Sequence, residues 1–126
     1  GLHSRGGTSD ELLIEVHGTN EEIECVRCQS RSDPEAHMQQ FSETRQPPRC
    51  PCGGYLKSAT ISFGQSLNST VLARAAAAVR EADLVVALGS TLSVYPAAGI
   101  PLSAAERGVP YIVINRGATG MTATRQ

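Results

Sequence analysis

Four cysteines constrain this chain more than any other feature: Cys25-x-x-Cys28, then residues 29–49, then Cys50-x-Cys52. Two close pairs separated by a loop have the form of the two halves of a zinc ribbon. Two disulfides, or four ordinary thiols, are the competing readings. No apolar leader precedes the pairs, so a reducing, cytoplasmic compartment is expected, and a metal is favoured over disulfides. Four thiolates would close a tetrahedron without any histidine and leave no position for a catalytic water, so the expected role is structural. The second pair is one residue shorter than usual. Pro51 and Gly53-Gly54 permit the tight turn that such a pair needs.

Around this module the pattern is that of an α/β protein. Leu12 to Val16 is a short run of β-formers, expected as a strand ending at His17 and stopped by Gly18. Glu22 to Arg27 alternates polar and apolar residues, predicting a half-exposed strand that runs into the first cysteine pair. Ser32-Asp33-Pro34-Glu35 supplies a cap, a proline at the first helical position and an acid in the first turn, predicting a helix to about Phe41. Ser69 to Arg80 is alanine-rich behind a cap at Asn68 or Ser69 and predicts a second helix. Leu84 to Leu88 and Tyr111 to Ile114 are continuous apolar runs flanking a helical segment, Ala97 to Arg107, that stops at Gly108. That is a β-α-β unit, with strands expected to be covered on both faces. Three parallel strands ending at His17, at Gly89-Ser90-Thr91 and at Asn115 would line one crevice, where open α/β sheets bind small molecules. Residues 117–124 are small and polar, and mobility is expected there.

Composition removes several classes of function. Hydrophobic residues make up 40% and charged residues 18%, enough for a core and too little charge for disorder. A net charge of −1 lacks the surplus a phosphate-backbone binder needs, so no nucleic-acid partner is expected. No apolar run approaches the roughly 20 residues of a bilayer-spanning helix, so no membrane is expected either. The start at Gly1, without methionine, reads as a cut end.

Individual residues carry both chemical and structural readings. His17 beside Gly18 is placed to act as a general base, imidazole being the side chain that exchanges protons near neutral pH, or to hydrogen-bond a loop carbonyl. Gly89-Ser90-Thr91 has neither a dinucleotide fingerprint nor a Walker pattern; it suits a ribose or phosphate, or a plain turn. Phe63-Gly64-Gln65 alone signals no more than a packed hinge.

Taken in order, Gly1-Leu2-His3, Ile14-Glu15-Val16-His17-Gly18, the cysteine pairs with Pro48-Arg49-Cys50-Pro51-Cys52-Gly53-Gly54, Ile61-Ser62-Phe63-Gly64-Gln65, Gly89-Ser90-Thr91-Leu92-x-Val94-x-Pro96-Ala97 and Ile114-Asn115 resemble the sirtuin family. The resemblance extends over nearly the whole chain. It implies an NAD-dependent protein-lysine deacylase with a Rossmann-type domain and an inserted small zinc-ribbon module: here residues 1–20 and 58–126 as a partial Rossmann-type parallel sheet, and residues 21–57 as the zinc module. By position it implies His17 as catalytic base and Cys25, Cys28, Cys50 and Cys52 as zinc ligands. It implies Ile61, Phe63, Gly64 and Val94 against an acyl-lysine peptide, and Gly89, Ser90, Thr91, Asn115 and Arg116 against NAD.

Gln65 where many members have Glu, and the short Cys50-x-Cys52 pair, are departures of subgroup character. The family's glycine-rich NAD loop would lie upstream of Gly1, so the chain resembles the C-terminal half of the catalytic core. Exposed strand faces would then favour self-association through the surface left by the missing half. The alternative to a deacylase is a catalytically inactive zinc-binding fragment that serves as a peptide-binding or oligomerisation module.

Overall fold

The computed structural model describes residues 1–120, which fall into two compact units, Gly1–Leu67 and the chain from Asn68 onward. In the first, a short helix α1 (Leu2–Arg5) precedes strands β1 (Gly18–Cys25) and β2 (Arg31–Ser32), helix α2 (Pro34–Thr44) and strand β3 (Leu56–Thr60). The strands form an antiparallel sheet in the order β2-β1-β3. Cys25 pairs with Leu56, Glu24 with Lys57 and Ile23 with Ser58, after which β1 bulges before Gly18 meets Thr60. Arg31 reaches across the β1–β2 ladder to Glu22 at 2.7 Å and Glu24 at 3.3 Å. Helix α2 starts because the Asp33 carboxylate accepts the Glu35 amide and Pro34 has no amide to satisfy; it stops where Arg45 turns left-handed (φ 55°) and its amide returns to the Phe41 carbonyl. Almost nothing in this unit is fully buried except Cys25, Cys50, Gly54 and Ala59. A unit this small lacks a hydrophobic core of ordinary size, and two of its four buried residues, Cys25 and Cys50, belong to the cysteine cluster.

The second unit runs α3 (Ser69–Glu81), β4 (Val85–Leu88), α4 (Gly99–Glu106) and β5 (Tyr111–Ile114). The Asn68 side chain caps α3 by accepting the amides of Thr70 and Val71. At its far end Arg107 donates to the carbonyls of Val79 and Arg80, setting a positive charge where the helix dipole favours one. Strands β4 and β5 are parallel, Val85 opposite Tyr111 through Leu88 opposite Ile114, with α4 as the crossover. The chain is therefore an α/β protein with a parallel strand pair, and the α4 crossover packs on α3 and β4. The most buried positions of the second unit, Ala75, Ala98 and Ala104, are alanines, which allow close helix approach. The Tyr111 hydroxyl is buried with no hydrogen-bond partner among the described residues, and burial pushes its pKa upward.

Three expectations are corrected. Leu12 to Val16 is not a strand: the Leu12 and Leu13 amides bond back to Ser9 and Asp10, so turns satisfy them locally and His17 lies in the turn that enters β1 rather than at a strand's carboxyl end. The parallel sheet accordingly has two strands among the described residues. Nor are β4 and β5 covered on both faces. Val85, Ala87, Tyr111 and Val113 are half-buried, while Val86, Leu88, Ile112 and Ile114 are 46%, 68%, 47% and 60% exposed, because cover comes from one side only, where α4 packs on β4. The segment expected to be mobile is fixed in part, since the Gly120 amide donates to the Thr91 carbonyl and Thr119 is buried; residues 121–124 lie outside the described residues.

Candidate functional site

The first cysteine pair sits where β1 ends. Cys25 is fully buried; its amide donates to the Ser30 carbonyl, and the Gln29 amide donates to the Cys25 carbonyl, curling Val26–Gln29 into a turn that carries Cys28 back over Cys25. The second pair folds on Gly53 (φ +82°), whose amide donates to the Cys50 carbonyl while the Cys50 amide donates to Gly54. Gly54 is indispensable here: a Cβ on it would stand 2.5 Å from the Cys25 sulfur and 2.8 Å from the Arg27 Cβ.

The two turns bring all four Sγ atoms within 4.8 Å of one another, with Cys25 to Cys52 at 3.5 Å and Cys28 to Cys50 at 3.6 Å. A tetrahedral ion bound at about 2.3 Å to each sulfur sets the sulfurs about 3.8 Å apart, whereas a disulfide needs about 2.05 Å. All four are free thiols in a geometry that fits zinc and fits no disulfide. Electrostatics divide them. The Ser30 hydroxyl and amide, helped by the thiols of Cys52 and Cys25, lower Cys28 to about 6. The backbone of Cys52, then the Ser30 hydroxyl, lower Cys50. Against a lowering hydrogen bond from Gly54, hydrogen bonding to the neighbouring sulfurs of Cys25, Cys28 and Cys50, which holds the Cys52 proton in place, pushes Cys52 up to about 12. A bound divalent ion would take the place of that proton. Four protein thiolates leave it no open position, so such a centre is structural.

A second group of predicted residues assembles at the other end of the same sheet. The Ile61 amide donates to the His17 carbonyl at 2.9 Å, extending the β1–β3 ladder past Gly18. Gly18 has φ +75°, and a Cβ there would run into the Ala59 carbonyl oxygen, so only glycine brings the two strands this close. The His17 side chain is exposed. Beyond Ile61 the chain turns tightly, the Gln65 amide donating to the Ser62 carbonyl and the Gln65 side chain accepting the Ser62 amide. Gly64 is left-handed at φ +86° and Phe63 is 95% exposed, an apolar ring at the tip of a loop with open backbone. Lys57, which sequence reasoning missed, donates from Nζ to the carbonyls of Ser58 and Thr60 and braces the strand feeding this loop.

The third group lies in the second unit, at the carboxyl ends of β4 and β5. The Gly89 amide donates to the Ile114 carbonyl, which sets Gly89-Ser90-Thr91 beside Asn115-Arg116. Gly89 is left-handed at φ +63°, and Ser90, Thr91 and Arg116 are exposed. The Ser90 hydroxyl accepts the Leu92 amide, Thr91 pairs with Ser93 at 2.9 Å, and the Asn115 amide donates to the Gly117 carbonyl. Hydroxyls, a side-chain amide and an exposed guanidinium on two segments that meet at Gly89 are groups of the kind that bind ribose or phosphate. Val94, 47% exposed, lies just before α4.

A family model described as the Sir2 family matches residues 1–96. A Rhodopseudomonas palustris protein named NAD-dependent protein deacetylase is 37% identical over 116 residues, which are 91% of this chain and 46% of that relative. Its namesake from Haloarcula marismortui is 36% identical over 91% of this chain and 44% of its own length. A solved structure described as "Sir2-p53 peptide-NAD+" superposes with a TM-score of 0.86 at 33% identity, over 97% of this chain and 50% of that one. The chain thus spans about half the length of the curated relatives it matches.

Proposed function

The chain belongs to the Sir2 family, the sirtuins, and on that premise we propose that it is part of an NAD-dependent protein-lysine deacylase that transfers the acyl group of an acyl-lysine peptide to ADP-ribose and releases nicotinamide. The observation that carries this reading is the 2.9 Å hydrogen bond from the Ile61 amide to the His17 carbonyl, which joins the candidate base to the loop bearing Phe63 and Gly64. A peptide that adds a strand to this loop brings its lysine alongside His17, and backbone pairing accepts many sequences. Phe63, 95% exposed, supplies apolar surface to an acyl-lysine stem. His17 accepts the proton of a ribose hydroxyl. On the resemblance, ribose and phosphate oxygens of NAD fall to Gly89, Ser90, Thr91, Asn115 and Arg116 of the second unit, a set read within that unit alone. NAD, when bound, would supply the ribose carbon that bonds to the acyl oxygen as its bond to nicotinamide breaks. Zinc at Cys25, Cys28, Cys50 and Cys52 keeps residues 21–57 folded as a module inserted between residues 1–20 and 58–126.

The deciding experiment measures deacylation of an acyl-lysine peptide with and without NAD, using protein of the relatives' full length and the 126-residue chain side by side. Turnover that requires NAD supports the reading, and NAD-independent hydrolysis or none in the longer protein overturns it.

A second reading is favoured by one feature. The cysteine cluster and the Ile61–Gly64 loop belong to the same compact unit, the arrangement a zinc-stabilised peptide-binding module without catalysis would have. Peptide binding with no turnover in the longer protein would select it.

Two finer points belong to the same proposal. The 126-residue chain self-associates through the exposed stripe Val86, Leu88, Ile112 and Ile114, against a second copy of itself. Sedimentation tests this with a Leu88→Lys, Ile114→Lys variant, which is expected to be monomeric. No described helix is long and apolar enough to cross a membrane, and we place the protein in the cytoplasm, where thiols stay reduced.

A further inference from the structure

We propose that Arg27 is the positioning residue that closes the short second cysteine pair against the first, so that all four thiolates face one zinc ion. The inference rests on the zinc reading above and concerns how this sequence meets the geometric demand of a Cys50-x-Cys52 pair.

Arg27 lies between Cys25 and Cys28 and works in two directions. Its backbone amide donates to the Cys25 sulfur at 3.4 Å, fixing the first pair. Its guanidinium Nη1 donates to the carbonyl of Cys52 at 2.9 Å, fixing the second. One residue therefore spans both halves of the cluster, and it crosses where Gly53 and Gly54 offer no side chain: a Cβ on Gly54 would stand 2.8 Å from the Arg27 Cβ, and one on Gly53 4.0 Å from Nη1. A pair with a single intervening residue has less backbone with which to turn its second sulfur inward, so an external anchor on the Cys52 carbonyl counts for more than it would in a longer knuckle. Charge acts in the same direction. Four thiolates on a divalent ion leave the centre negative overall, and a guanidinium stays cationic at every relevant pH. Arg49 is the other cation near this turn, and it is less well placed. It reaches the Gly53 carbonyl only at 3.5 Å, the outer limit of a hydrogen bond, and its guanidinium carbon sits over the Tyr55 ring, 3.5 Å from the centroid.

The test uses the zinc-loaded 126-residue chain, with Arg27→Met removing the donors but keeping the aliphatic stem, and Arg27→Lys restoring a single donor. The readouts are the rate of zinc transfer to a chromophoric chelator and the order in which iodoacetamide alkylates the four cysteines, read by mass spectrometry. R27M is expected to release zinc about tenfold faster, in the range found when partners of metal ligands are removed, with Cys52 labelled first, and R27K is expected to release it about threefold faster than the parent. Parent-like release from R27M overturns the proposal, and so does equal labelling of all four cysteines, which marks general loosening. Should R27M not fold, R27K decides: about threefold faster release with Cys52 labelled first supports the tie, and the parent's rate overturns it. A parent chain that takes up no zinc removes the zinc reading itself, an outcome distinct from a zinc-bound parent whose variants behave identically.

Discussion

His17 and Gly18 are neighbours in sequence with opposite demands on their surroundings. The exposed imidazole contributes little packing, and the carbonyl that anchors Ile61 is backbone, which substitution leaves in place. In protein of the relatives' full length, His17→Ala is therefore expected to lower NAD-dependent turnover about 10²- to 10⁴-fold, with melting temperature and zinc content unchanged. Turnover within threefold of the parent removes His17 from the mechanism. Gly18 behaves in the reverse way. Its left-handed backbone and the absence of room beside Ala59 predict that Gly18→Ala costs about 2 kcal/mol or more in urea unfolding and disturbs the β1–β3 register, so that activity is lost along with stability. The motif Val16-His17-Gly18 marks both residues in the sequence, but the reason for the glycine becomes visible only when the Ala59 carbonyl arrives from a strand some forty residues later. Arg27, Ser30 and Lys57 had no sequence signal of their own, because their roles lie in bonds to backbone and sulfur atoms that folding brings near.

At the scale of elements, local chemistry predicted α2, α3 and α4 but not the four-residue α1. Asp33-Pro34 and Asn68 cap α2 and α3 as the residue types require, and the Tyr111–Ile114 strand has the expected limits. Leu12 to Val16 failed for an equally physical reason: a β-rich run becomes a strand only when a neighbouring edge takes its amides, and here turns took them first. β5 carries an internal cost as well. The Tyr111 hydroxyl is buried and unpartnered among the described residues, and removing such a group relieves its desolvation. Tyr111→Phe should raise the unfolding free energy of the chain by about 1 kcal/mol. A fall of similar size, measured by urea denaturation, would mean that the hydroxyl has a partner.

For the whole molecule, the first unit depends on its cysteine cluster, since Cys25, Cys50, Gly54 and Ala59 are too little apolar material to hold it together. Chelating the metal should therefore release residues 22–56 first, with amide exchange accelerating there while β4 and β5 keep their protection. Uniform loss across both units would show that zinc stabilises more than its own module. The sequence alone marked the four cysteines that the structure gathers within 4.8 Å, because cysteine spacing in two short turns is a local property. It determined the capped helices and the β-α-β unit in the same way, from residue types within one turn or one strand of each other. It also carried the family, through six short motifs in a fixed order. Only the tertiary structure decided which strands pair, that His17 enters a strand rather than ending one, and that the β4–β5 pair carries one covered face and one bare one. Those outcomes depend on which distant edge or helix reaches a segment first, and a hydrophobic run has the same sequence whether or not a partner arrives to cover it.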